Sequence, residues 1–287
     1  MKKFFLNDPN LLIYGFVMVF FASFGQTFYI ALFNDDIRNL YKITDGEFGL
    51  VYAIATLVSS FLFINFAKLI DKIDLRLYSI CIILGLAIAC IGFCFIFDNI
   101  IHLFLILFLL RFFGQGAMHH AGSTSMARYF IIDRGKAISV ATLGGMLGIM
   151  FLPKIVVNLD LYFSFETLWF LTTLFLLILI PIIYFILYNQ KSRDAVLQKN
   201  IDNEKTHKSW TITEILKDRV FFIYFPLAAS FPFIGTGLMF HQIYIFEAKG
   251  WTMEMLGNGY IYFGLFSISC IISIYWNRVN VSSDLYF

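Results

Sequence analysis

The sequence is poor in charge, cysteine and proline. Only 14% of its 287 residues are Asp, Glu, Lys or Arg, against about 25% in a soluble domain. A net charge of +2 gives nucleic acid nothing to hold, so no such partner is expected. The 4 cysteines, Cys81, Cys90, Cys94 and Cys270, all sit in apolar runs. Their spacing suits neither a disulfide scaffold nor a zinc site. Just 5 prolines exclude collagen-like and low-complexity chains. Also missing are a nucleophile–base set, a phosphate loop and a dinucleotide fingerprint. The adjacent pair His119-His120 cannot face one metal from one helix. The chain is therefore expected not to be an enzyme and to use neither metal nor cofactor.

What the sequence has is oil. Hydrophobic residues make up 60% of it, 36 of them Phe, and the mean hydropathy is +0.79. A single soluble core cannot hide that much apolar surface. A spanning helix needs about 20 mostly apolar residues. Eight runs qualify, at 11–33, 48–70, 77–97, 101–124, 137–158, 165–188, 220–246 and 256–276. They are apolar on all sides rather than alternating, which favours helices over a barrel. The first run follows Lys2 and Lys3 but continues past the length of a signal peptide's apolar region. The expected fold is an all-α bundle in a lipid bilayer.

Basic residues set the orientation. With the N-terminus inside, the inner segments carry sixteen Lys and Arg, the outer segments four, and Arg111 remains within a span. Both termini are thus expected in the cytoplasm. Residues 189–219 differ from the other connections in being long and polar, with 7 basic and 5 acidic side chains. They read as a cytoplasmic linker between six spans (1–188) and two more (220–287). Thr211-Ile212-Thr213-Glu214 reads as a capping box opening a short amphipathic helix.

The part after the linker echoes the part before it. Thr44, Phe48, Gly49 and Tyr52 ahead of the second span match Thr252, Leu256, Gly257 and Tyr260 ahead of the eighth, each 208 residues later. Asp71-Lys72-Ile73-Asp74 matches Asn277-Arg278-Val279-Asn280, 206 residues later. Repeated halves are a common construction in secondary transporters.

Arg111 is the most informative residue. About ten residues into the fourth span, at ~1.5 Å per residue, it lies near the membrane midplane. All 19 Asp and Glu fall in loops or at span ends, so no acid in these spans neutralises it. It must meet backbone carbonyls, water, a further helix or an anionic substrate, whose carboxylate would suit the guanidinium fork. At helical spacing Gln115 and His119 share its face, whereas His120, nine residues on at ~100° each, points nearly opposite. His119 is either a proton carrier or a hydrated histidine at a helix end. Gln26 and Tyr29, three apart in the first span, either line the same cavity or join helices through polar contacts. Pro226, Pro232, Gly235 and Gly237 are expected to weaken the seventh span, with His241 and Gln242 near its outer end.

These residues resemble the major facilitator superfamily. Its loop between spans 2 and 3 typically reads G-x-x-x-D-[RK]-x-G-[RK]-[RK]. The stretch from Ala67 to Arg76 fits at Asp71, Lys72 and Arg76 and departs at Ala67, Asp74 and Leu75. Arg111-Phe112-Phe113-Gly114-Gln115-Gly116 is similar to the family's Arg-and-glycine motif. Arg128, Arg134-Gly135-Lys136, Gly144, Gly145 and Gly148, with Ser230 to Gly237 and His241-Gln242, look like bacterial facilitators related to monocarboxylate and oxalate/formate carriers.

The resemblance implies a six-helix N-terminal half and the first two helices of a second. It implies alternating access for a small organic anion such as a monocarboxylate, with a proton or counter-anion as possible co-substrate, in a bacterial inner membrane. Arg111, Gln115, Gln26, Tyr29 and His119 would form the substrate site. Asp71, Lys72 and Arg76 would form an inner gate and His241 part of an outer one. The family usually has twelve spans, so a chain of eight is expected to be a truncated form. The alternative is a non-transporting membrane remnant or an interaction protein.

Overall fold

The computed structural model describes residues 8–95, 99–191, 193–195 and 211–284. Every described element is helical. The basic N-terminus and most of the linker expected over 189–219 lie outside the described residues.

Helix ends follow local chemistry. Asp8 accepts from the Leu11 N–H at 3.1 Å and Pro9 opens α1 (Pro9–Phe21), where its missing N–H costs nothing. A 3-10 turn (Ala22–Gly25) follows, Gln26 is extended (φ −84°, ψ 152°), and the chain resumes as short helices through Tyr41. The two pieces, Pro9–Gly25 and Thr27–Tyr41, are inclined at 45°. Thr44 and Glu47 form a capping box on α2 (Asp45–Ala67). Asp74 caps α3 (Leu75–Gly92). The fourth span, α4 (Ile100–Tyr129), contains a π-helical stretch at Leu110–Met118. Then come α5 (Arg134–Leu159), α6 (Phe165–Ile186), α7 (Arg219–Phe240) and α8 (Met253–Asp284). The box at Thr211 and Glu214 is present, opening a helix of one turn (Ile212–Ile215).

Six of these helices, α2 to α7, are long and apolar enough to cross a membrane, and the bent first pair makes a seventh. These seven correspond to the first seven of the eight expected runs. The eighth run forms α8, whose 32 residues give ample length.

Helix α1 packs on α4 and α5, α2 on α4, α3 on α6, and α8 on α5. Close approach of α5 to α1 requires glycine: a Cβ at Gly144 would sit 2.1 Å from the Phe16 carbonyl. Two ends can be named by their charged residues. At the Asp45 end, Tyr29, Phe33, Phe93, Phe165 and Trp169 form an aromatic cluster, Phe93 and Trp169 having ring centroids 4.7 Å apart. At the Asp71 end, Arg128 binds the Asp71 carboxylate at 3.0 Å and the Ile70 carbonyl at 2.9 Å. There Arg193 also donates to both oxygens of Asp8. Large apolar side chains such as Phe61, Phe175 and Phe185 face outward, as expected where the surroundings are lipid.

Candidate functional site

Two irregular backbones meet in the middle of the bundle. The break in α1 at Gly25–Gln26 leaves the Gly25 carbonyl outside the helical ladder. The π stretch of α4 passes directly beside it. A Cβ on Gly25 would lie 2.2 Å from the Leu110 carbonyl oxygen, and one on Gly114 would lie 2.6 Å from the Gly25 Cα. Only two glycines permit this approach. An unpaired carbonyl at membrane depth costs several kcal/mol, so the break persists only if a donor reaches it.

Arg111 is that donor. Its Nη1 donates to the Gly25 carbonyl at 3.2 Å and to Thr27 Oγ1 at 3.3 Å, and its Nε donates to Thr56 Oγ1 at 3.2 Å. The Tyr52 ring lies 5.1 Å from the guanidinium carbon, within cation–π range. Tyr52 also donates to Thr27 Oγ1 at 2.8 Å. The arginine is 4% exposed, and no described carboxylate lies within ion-pair distance of it. Three of its five N–H bonds are therefore spent on neutral oxygens. Nη2 has no partner among the described residues, and the side chain borders a cleft of about 420 Å³ between α2 and α4. Thr56, Ser59, Ser60, Ser123 and Thr124 put hydroxyls on that cleft, beside Gln115, His119 and His120. A second hollow of about 350 Å³, between α1, α4, α5, α7 and α8, is lined by Ser23, Gln26, Thr142 and Thr236 among others. Gln115 and His119 border both, so the two hollows flank one polar ridge of α4.

The structure thus brings Arg111, Gln115, His119 and Gln26 together and moves other expected residues elsewhere. Tyr29 does not line the cavity. Its hydroxyl hydrogen-bonds Thr172 on α6 at 3.0 Å, and its ring edges onto Trp169 in the core. The break at Gln26 explains this, because three-residue spacing places two side chains on one face only in a continuous helix. His120 was expected to point away from Arg111, yet it lines the same cleft. A π-helix bonds each residue to the one five along, so every residue turns through less than ~100°. The lag accumulated over Leu110–Met118 carries His120 round to the cleft. The proline-rich α7 is unbroken, and the discontinuity lies in the first span.

The expected gate residues also separate. Asp71 is held by Arg128, not by Lys72 or Arg76, and Arg76 lies over the Tyr184 ring at 5.1 Å. At the other end His241 Nδ1 is 3.8 Å from Asp45, which also lies 3.9 Å from Arg38. Sequence reasoning missed Thr27, Tyr52, Thr56 and the Ser59-Ser60 pair. The signal was present as hydroxyls spaced three and four apart in an otherwise apolar second span. Among the described residues no group of three His, Cys, Asp or Glu is placed to hold a metal.

No curated protein and no solved structure matches the chain. A family comparison does match, over residues 4–281. The chain belongs to the Major Facilitator Superfamily, and it is by that membership a secondary transporter embedded in a membrane and not an enzyme.

Proposed function

We propose that the solute is a small organic anion, such as a monocarboxylate, and that Arg111 fixes its charge. The observation that carries this reading is the state of the guanidinium. It is buried without a carboxylate, it is held in place by neutral oxygens, and its Nη2 is left for a ligand beside a cleft lined by hydroxyls. Two N–H bonds on one nitrogen suit a carboxylate oxygen, and a desolvated cation gains most from an anion. Gln115 and Gln26 supply amide donors around it. His119, on the ridge shared by the two hollows, is placed to carry a proton with the anion. The excess of basic residues on one side argues for both termini in the cytoplasm. On that orientation the Asp71–Arg128 pair closes the inner end. The resemblance to bacterial carriers argues for an inner membrane.

The test is uptake by the purified protein in liposomes of formate, acetate, lactate and oxalate, against glucose and alanine. A carboxylate is expected to be taken up. Arg111→Gln is expected to reduce that uptake at least about tenfold, the loss of a charge-assisted contact worth ~1.5 kcal/mol or more. Unchanged carboxylate uptake by the variant, or uptake of the neutral solutes alone, rejects the reading.

A further inference from the structure

The halves on either side of the linker exchange amide hydrogen bonds at the Asp45 end. Asn34 Nδ2 donates to the carbonyl of Phe240, the last residue of α7, at 3.4 Å. Gln242 Nε2 donates to the carbonyl of Phe28, beyond the break in α1, at 3.1 Å. Both side chains are 4% exposed. They stand 208 residues apart, the separation that relates Thr44 to Thr252 and Tyr52 to Tyr260. The correspondence extends to the rings. Tyr52 packs on Phe240 at 5.0 Å, and Tyr260 packs on Phe28 at 6.0 Å. Each repeat thus supplies one amide and one tyrosine, and both grip the phenylalanine of the other half. Tyr260 also donates to Gln242 Oε1.

The geometry points to a reciprocal latch: Asn34 and Gln242 hold the Asp45 end closed, and the segment Thr27–Phe28 couples that latch to Arg111. Three observations support it. Phe240 is the only buried residue among the described side chains of α7, so the helix is seated most firmly at this end. The Phe28 carbonyl that receives Gln242 belongs to the residue next to Thr27, whose hydroxyl receives both Arg111 and Tyr52. The latch is also weak by construction. One of its bonds is 3.4 Å long, and the buried Asn34 Oδ1 has no partner among the described residues. A carrier needs such weakness, because an end that must open in every cycle cannot be held by more than a few kcal/mol.

The inference rests on alternating exposure by a carrier of this family and not on the anion reading. It is tested by a cysteine at Gly49, where a Cβ meets the Phe240 ring at an ordinary 3.8 Å. Cys81, Cys94 and Cys270 are replaced. Cys90, wholly buried between helices, is kept as an internal report on unfolding. The full chain in liposomes is labelled with a water-soluble maleimide. Loss of one hydrogen bond is expected to raise labelling at position 49 about fivefold, and loss of both more than about tenfold. Gln242→Leu should act more strongly than Asn34→Ala, since its bond is the shorter. Tyr260→Phe keeps the ring, and is expected to give a smaller rise of the same sign if Gln242→Leu does not fold. Arg111→Gln, which touches neither amide, is expected to raise labelling as well through Thr27.

Labelling within twofold of the parent in both Gln242→Leu and Tyr260→Phe overturns the latch. A parallel rise at Cys90 also overturns it, because the amides then hold the fold and not an opening. If Arg111→Gln loses carboxylate uptake but leaves labelling at position 49 unchanged, the coupling fails and the anion site stands.

Discussion

The first and seventh spans make opposite use of their sequences. Span 7 carries two prolines, Pro226 and Pro232, and is one continuous helix. Span 1 has no proline beyond its first residue and is broken in the middle. A proline removes one hydrogen bond, that of the carbonyl four residues before it, and a helix can remain continuous through so local a loss. A complete break frees several backbone groups. It survives only where tertiary neighbours bring donors, and span 1 has Arg111 and the glycine contact with α4. Most of span 7 faces outward and has no such neighbours among the described residues. The lesson is that a discontinuity belongs to the place where freed backbone is recaptured, not to the residue that weakens the helix.

Substitutions that remove the recapture should break this contrast, and the largest effect is expected at the glycines. Gly25→Ala or Gly114→Ala places a methyl within 2.6 Å of backbone. Overpacking of that kind costs about 3 kcal/mol or more, so little folded protein should survive detergent extraction and size-exclusion chromatography. Next comes Arg111→Met, which leaves the Gly25 carbonyl unpaired but also relieves the burial of a charge. The two terms oppose, and a net loss of about 1–2 kcal/mol is expected in thermal unfolding. A midpoint at or above the parent's would mean that the arginine does not hold the break.

Tyr29→Phe sharpens the comparison on the far side of the break. It removes the bond to Thr172 that ties Thr27–Ile30 to α6, for about 1 kcal/mol. Solute affinity should be unchanged, since Tyr29 faces the core. A weakened affinity without loss of stability would return it to the cavity. The smallest effect is expected in span 7. Pro232→Ala restores a backbone donor in a helix that is already straight enough to be continuous, so stability should stay level or rise by less than about 1 kcal/mol. A large loss would show that the proline shapes span 7 after all.

Much of the fold was legible because the bilayer imposes it: length, apolarity and capping residues located the helices. Thr211 with Glu214 acts as the expected capping box, and Thr44 with Glu47 forms another that the sequence reading passed over. The site was legible only in part. Arg111 was conspicuous as a cation without an acid, and Gln115 and His119 border its cleft as expected, although the π stretch of α4 reaches them. Tyr29 and His120 did not follow, for one physical reason. Both predictions assumed a constant ~100° per residue, and both residues lie at or beyond a place where the backbone departs from it. The pairing of Asp71 with Arg128, which comes from α4, joins residues 57 apart in the chain, and no local pattern reports such a contact.

By itself the sequence determined that this chain lives in a membrane, which stretches cross it, and that one guanidinium is carried deep without a matching acid. Those facts follow from transfer free energies, which are summed residue by residue. The tertiary structure alone decided that the first span breaks and the seventh does not. It also decided which side chains face the hollows, and that Asn34 and Gln242 reach across to each other's half. Each of these depends on whether a buried polar group finds its partner. That partner comes from a distant part of the chain, at a distance that only packing sets.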